Sequence, residues 1–313
     1  MTQRTGSTTE NVAELNFNDV LVDLSSYLGR LRVNGSDAID LLDRLSTNRL
    51  TDLTAPGMGM RSVLTTNKGR VIDLLGIHMM GNGILVVTSG AALRKVADWI
   101  EFYTIMEDVE NVDISGNTFH LRLIGIDAYK RFPEVNNITN SSFLEIEISG
   151  SSCTAIRTKV GGDLCLDIIG RKDDEGSVRQ ILLSDMDERS LLDYERYRIS
   201  KGEPAFGSEL TEDFNPLEAG LIDYIHFNKG CYIGQEVVAR LNTYDKVQRK
   251  LVKLTWQGSL CGRNLYSGDQ SAGIVTSMAN GFGLGFVKKI HAEPGTVLAC
   301  GEESVTIVEL SSD

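Results

Sequence analysis

The chain predicts an α+β fold completed by a small antiparallel β-barrel, on three observations. Alternating apolar runs come in two groups of three, at 62–66, 71–80 and 84–88 and again at 143–148, 154–160 and 164–169. Helical spacing follows each group instead of interrupting it, and strands grouped with helices in this way favour α+β over a strictly alternating parallel sheet. Beyond about residue 245 helical spacing disappears, leaving short strands between glycine-rich turns.

In chain order, residues 1–13 read as a flexible polar tail. A short strand is expected at 31–33 and a turn at Gly35-Ser36, where Ser36 can cap a helix over 37–45 whose apolar face carries Ile39, Leu42 and Leu45. Pro56-Gly57 turns the chain into the first three strands, which are joined at Asn67-Lys68-Gly69-Arg70 and Gly81-Asn82-Gly83. Ser89 can then cap a helix over 91–106. A strand at 118–124 and a short helix at 127–132 lead into the second group of strands, followed by helices at 177–183 and about 185–200. The halves share a coarse order, and no repeat is visible in the sequence itself. A helix is expected from Gln235 to about Leu241, and a hinge at 244–249. Barrel strands follow at 251–255, 273–276, 283–288, 296–299 and 305–310. The run Gly281-Phe282-Gly283-Leu284-Gly285 lacks the third glycine of a dinucleotide loop at the required spacing and opens no helix, so a bent barrel strand is the better reading. Two regions result, 14–245 and 246–313.

The 313 residues allow one to three domains. A net charge of −12 opposes nonspecific binding to nucleic acid or to anionic membrane, and means that any anionic ligand must meet a local basic site. No apolar run approaches the roughly 20 residues of a membrane span, and the first ten residues lack the apolar core of a secretory signal. Five cysteines without C-x-x-C spacing disfavour a disulfide framework or a self-contained zinc site, and a reducing cytoplasm is the expected compartment. There is no P-loop and no H-E-x-x-H, and the four histidines are scattered.

The stretch with the most chemistry is Lys229-Gly230-Cys231-Tyr232-Ile233-Gly234-Gln235-Glu236, with Arg240 four residues on. Glycines at 230 and 234 let backbone approach a neighbour closely. Cys231 precedes a helix N-terminus and neighbours the Lys229 cation, a setting that favours thiolate. As a free cysteine it could equally be a small buried hydrophobe.

This stretch closely resembles the signature of the YgfZ family, folate-binding proteins related to the aminomethyltransferase (T protein) of the glycine cleavage system, with mitochondrial counterparts in iron–sulfur assembly. Other segments are similar to that superfamily: Asn34-Gly35-Ser36-Asp37-Ala38 leading into a helix that ends at Thr47-Asn48, the arginine-bearing helix at Glu195-Arg196-Tyr197-Arg198, the Gly202-Glu203-Pro204 turn, and Pro216-Leu217-Glu218-Ala219-Gly220-Leu221. The resemblance implies α+β subdomains around a central opening that binds tetrahydrofolate or a one-carbon derivative, plus a C-terminal β-barrel. It implies Glu218 as the carboxylate gripping the pterin edge, where one carboxylate can accept two adjacent N–H donors; a loop-capping role is the alternative. Tyr232, Gln235 and Glu236 come with the motif as cofactor-site residues. Lys229 and Arg240, with Arg198, are the cations nearest in sequence for the anionic tail, although Arg198 reads more simply as a surface charge.

Two departures from the transferases stand out. Their matching strand carries two consecutive acids, one of them needed near folate N5, whereas here the pair is Asp73-Leu74. Adjacent strand residues face opposite sides, so one face has lost its carboxylate. Asp73 is then either catalytic or a solvent-facing strand residue. Arg61 stands where that family has a tyrosine. Both departures favour a tetrahydrofolate-binding protein supporting maturation or repair of iron–sulfur proteins, with Cys231 as the functional thiol. One cysteine cannot hold a cluster alone, so an iron–sulfur assembly or client protein would share the site. The alternatives are a folate-dependent one-carbon transferase and a folate sensor.

Overall fold

The computed structural model describes residues 17–310, so the expected tail at 1–13 lies outside the described residues. The elements run β1 (Val20–Asp23), β2 (Leu28–Asn34), α1 (Ala38–Leu45), β3 (Gly59–Thr65), β4 (Val71–Met80), β5 (Gly83–Ser89), α2 (Leu93–Tyr103), β6 (Glu110–Asp113), β7 (Thr118–Ile124), α3 (Ile126–Arg131), β8 (Phe143–Ile148), β9 (Ser151–Val160), β10 (Asp163–Arg171), α4 (Glu175–Leu182), β11 (Asp187–Arg189), α5 (Leu191–Ser200) and α6 (Gln235–Thr243). Six barrel strands follow: β12 (Arg249–Trp256), β13 (Asn264–Ser267), β14 (Gln270–Ala279), β15 (Phe282–Lys288), β16 (Val297–Cys300) and β17 (Glu303–Leu310).

The first sheet has the order β3-β4-β5-β2-β6 and the second β11-β1-β7-β10-β9-β8. Each is a three-stranded meander whose last strand pairs with the strand that opened its half, β2 in one and β7 in the other. The common order hinted at by the sequence is therefore a repeated topology. The repeat is broken by β1, which opens the chain yet pairs with β7 and β11 of the second sheet. That crossing ties the two halves together.

Helices α1 and α2 cover the first sheet around Leu41, Leu42, Val96 and Ile100, and a second core closes around Phe119, Leu121, Leu166 and Val178. The third sheet is a closed barrel ordered β12-β15-β14-β13-β16-β17. Its strands β12 and β15 bury Leu251, Leu284 and Phe286 against Val63, Val71, Leu74 and Ile199, so the barrel packs on β3, β4 and α5. The Gly281–Gly285 run enters β15, as a barrel strand.

Several boundaries differ from the sequence reading, each because a side chain has a competing partner. Ser36 does not cap α1: its hydroxyl bonds Asp108 at 3.1 Å, and Asp37 occupies the cap position. Ser89 does not cap α2, because its hydroxyl donates to Asp73 Oδ1 at 2.9 Å. The chain enters α2 through a 3₁₀ turn, and α2 stops at Tyr103. The helix expected over 185–200 begins at Leu191 behind a Ser190/Asp193 capping box, and its first part is the edge strand β11. Strands β1, β6 and β13, each four residues long, have no counterpart in the sequence reading. Among the described residues no helix is long and apolar enough to cross a membrane.

Candidate functional site: a cavity between the two sheets

The two sheets meet across Leu85, Phe143, Ile156 and Ile169. Beside that contact they leave a cavity of about 110 Å³ with apolar walls at Leu74, Val87, Ile156 and Leu210. A wider opening of about 610 Å³ shares Lys159, Glu203 and Pro204 with it and is bounded on the far side by Lys253 and Glu309 of the barrel.

Two arginine–carboxylate pairs border this cavity, one within the second sheet and one joining the first sheet to the turn after α5. From the second sheet, Arg122 grips Asp167 in a fork, Nε to Oδ1 at 2.6 Å and Nη2 to Oδ2 at 2.7 Å, while Nη1 donates to the Tyr194 hydroxyl at 2.5 Å. Burial alone would push the Asp167 carboxyl up, but the Arg122 guanidinium overrides it and holds it well below the ordinary carboxylate range. From the first sheet, Arg61 donates to Glu203 Oε1 at 3.0 Å and to the Tyr224 hydroxyl at 3.1 Å, and lies 4.9 Å over the Tyr224 ring. The Asp167 carboxylate thus remains a charged acceptor next to a fixed cation.

Two buried histidines adjoin these pairs. Burial drives His78 down to about 4 even though Ser141 O lies 2.9 Å from its Nδ1. His120 Nε2 approaches Asp167 Oδ2 at 3.1 Å but off the hydrogen-bonding direction, and neither of its ring nitrogens has a hydrogen-bond partner among the described residues. Burial lowers its pKa as well, so both rings are neutral.

The Asp73-Leu74 step is resolved by side-chain direction. The Asp73 carboxylate is fully buried and accepts from Thr88 Oγ1 at 2.5 Å, Ser89 N at 2.8 Å and Ser89 Oγ at 2.9 Å. It fastens β4 to the end of β5 where the chain turns into α2, and burial raises its pKa. The solvent-facing alternative for Asp73 is therefore corrected. Leu74, on the opposite face, lines the cavity. The acid missing from the pair is missing from the cavity side.

The motif stretch lies elsewhere. Lys229 Nζ is enclosed by the carbonyls of Asp43, Ser46 and Asn48 at 2.6, 3.0 and 2.6 Å and by Asp43 Oδ1 at 3.1 Å, with the Tyr232 ring 5.4 Å away. Burial lowers its pKa. Its charge holds the end of α1 together. Tyr232 is buried, Gln235 half-buried, and Cys231, Glu236 and Arg240 are exposed; none of these residues lines the cavity. Ile233 N bonds Arg44 O at 2.9 Å, and Thr65 Oγ1 donates to Ile233 O at 2.6 Å. Gly234, at φ 84°, caps α6 in the left-handed region, and a Cβ there would stand 2.4 Å from Thr66 O. Gly230 has open space where its Cβ would be, so the close approach expected at both glycines is met only at Gly234. All five cysteines are free thiols.

Glu218 is buried, but outside the cavity. Its Oε1 accepts from Arg249 Nε at 3.2 Å, its Oε2 accepts from Asn215 N at 3.2 Å, and Arg70 lies at 3.7 Å. It joins the Pro216–Gly220 loop to the barrel and faces a separate cavity of about 220 Å³. Arg198, read from sequence as a surface charge, is buried instead. It bonds Glu195, Glu209 and Ser277, fixing α5 to the barrel. Sequence reasoning did not single out Asp167, Arg122, Glu203 or Lys159. The first two sit on strands of ordinary alternation with no local signal; Glu203 alone had one, its place in the Gly-x-Pro turn.

With this geometry in hand, comparison with known proteins is informative. The family model described as GCVT N-terminal domain matches residues 3–229. A chloroplastic transferase-like protein of Arabidopsis thaliana is 31% identical over 303 residues, covering 92% of this chain and 70% of that protein. An aminomethyltransferase of Halothermothrix orenii is 27% identical over 304 residues, covering 90% and 82%. Among solved structures, the glycine cleavage system aminomethyltransferase T from Bartonella henselae superposes with a TM-score of 0.79 at 18% identity, covering 94% of this chain and 86% of that one. At that identity the likeness is one of fold, and it is the fold implied by the sequence resemblance.

Proposed function

Because the chain belongs to the GCVT N-terminal-domain family, matched over residues 3–229, we propose that the cavity between its two sheets takes a reduced folate. The pterin would lie between the apolar walls of Leu74, Val87 and Ile156, with its donor edge toward the Asp167 or Glu203 carboxylate. The anionic tail would leave through the wider opening. There Lys159 is exposed and has no ion-pair partner among the described residues, whereas Lys201 pairs with Asp163 and Lys253 with Glu309. A local cation is what an anionic ligand needs on a chain of net charge −12.

The observation that carries the narrower reading is Leu74. The cavity side of β4 presents an apolar residue where a transferase of the resembled type presents an acid. Asp167, locked ionised by Arg122, is poorly placed to exchange a proton in its stead. The proposed role is therefore binding of tetrahydrofolate in support of iron–sulfur protein maturation or repair, with Cys231 exposed on the outer face for a partner protein. A one-carbon transferase is the second reading, and the aminomethyltransferases among the relatives favour it.

Calorimetric titration with tetrahydrofolate, together with an aminomethyl-transfer assay, separates the readings. The expected result is saturable binding, weakened in Arg61→Ala and Asp167→Asn, without turnover. Absence of binding would overturn the cavity assignment. Turnover that disappears in Asp73→Asn would establish the transferase reading instead.

A further inference from the structure

The end of α2 and the loop after it carry an apolar surface with no partner in the fold. Phe102 is 71% exposed, Ile105 83% and Met106 94%. Trp99 and Tyr103 form its base: the Trp99 and Phe102 rings stack with centroids 6.5 Å apart, and both rings meet the Tyr103 edge at 5.3 and 5.0 Å. The Trp99 indole nitrogen is covered yet has no hydrogen-bond partner among the described residues. Three large apolar side chains this exposed side by side are unusual on a lone domain.

The rim is acidic. From Asp98 to Asp113 the sequence holds six carboxylates and no lysine or arginine. The cations packed nearby are already paired, Arg44 with Asp40 and Glu107, Arg94 with Asp98, and Lys95 with Glu212. Glu101 and Asp108 are exposed on either side of the apolar residues. Charge then selects among occupants. Nucleic acid and anionic membrane would be repelled. A second copy docking face to face would bring two acidic rims together.

We infer that this surface docks another protein through an amphipathic helix with a lysine- or arginine-rich polar face. The apolar side of that helix would cover Phe102, Ile105 and Met106, and its cations would meet the carboxylate rim. The loop after α2 is linked through polar contacts to the cysteine-bearing stretch. Glu107, whose carboxylate accepts from Ile105 N and Met106 N, pairs with Arg44, and the Arg44 carbonyl accepts from Ile233 N. A partner seated here would lie on the flank that carries Cys231.

The test uses the full chain with methyl-labelled methionine and two 18-residue helical peptides, identical on a leucine face and bearing either lysine or glutamate on the other. The expected result is that the lysine peptide binds, shifts the Met106 methyl signal, and weakens with added salt. The glutamate peptide should not bind. Combined Phe102→Ser, Ile105→Ser and Met106→Ser substitution should weaken binding ~10-fold or more while tetrahydrofolate titration is unchanged. Four results overturn the inference: no binding of the lysine peptide, binding that leaves Met106 unmoved, equal binding by the triple variant, and a Met106 shift with protein concentration alone, which would assign the surface to a second copy.

Discussion

The cysteine-bearing stretch and the cavity between the sheets are both built around cations withdrawn from solvent, Lys229 and Arg122 buried and Arg61 half-buried, and they differ in what those cations face. Lys229 meets backbone carbonyls, one internal carboxylate and the Tyr232 ring, so its charge is consumed in holding α1 to the loop. Arg61 and Arg122 meet carboxylates that line a void. The first arrangement fixes the chain. The second leaves oriented acceptors next to space that a ligand can fill. The segment most distinctive in sequence is therefore a clamp with one exposed sulfur, and the pocket is assembled from residues between Tyr27 and Leu210.

The contrast is tested most severely by removing one cation partner from each region. Lys229→Met removes the counter-charge of Asp43 and the Lys229 donor of three carbonyls, and should cost about 3–5 kcal/mol in urea unfolding, with tetrahydrofolate affinity per folded molecule unchanged. Asp167→Asn strands the Arg122 guanidinium, costs about as much, and should in addition weaken binding. If the Lys229 variant lost affinity while the Asp167 variant kept it, the division of labour would be reversed.

Protonation of the cavity is the next largest effect. His78 titrates at about 4 when folded against its ordinary 6.5, so the fold holds the neutral ring. Stability from this group is complete above about pH 6.5 and drains as pH falls toward 4, amounting to about 3 kcal/mol in all. His120 contributes in the same direction. Urea midpoints between pH 7.5 and 5 should fall, and His78→Gln should flatten the decline; an unaltered slope would locate the titration elsewhere.

Smaller effects sharpen the picture of the clamp itself. Gly234→Ala places a Cβ against Thr66 O at positive φ and should cost about 2 kcal/mol. Gly230→Ala meets nothing and should stay within about 0.5 kcal/mol. Smallest of all, Cys231→Ser should leave both stability and tetrahydrofolate affinity within measurement error, since the thiol is exposed and outside the cavity. A loss of iron–sulfur enzyme activity in cells carrying only that variant would separate the sulfur's role from the pocket's.

The sequence by itself determined what local rules govern. Period-two runs placed both meanders, the loss of helical spacing placed the barrel, and Gly234 announced its tight contact. The Asp73-Leu74 step already implied that one face of β4 lacked an acid. Tertiary structure alone decided which face looks into the cavity, and with it that Asp73 fastens β5 while Leu74 meets the void. It decided too that Glu218 belongs to Arg249 and Arg70, and that Asp167 belongs to Arg122, 45 residues away. Spacing along a strand fixes only alternation. The partner of a buried charge is set by how two sheets and a barrel close on one another, and desolvation makes that choice because a charge enclosed without a counter-charge is too costly to keep.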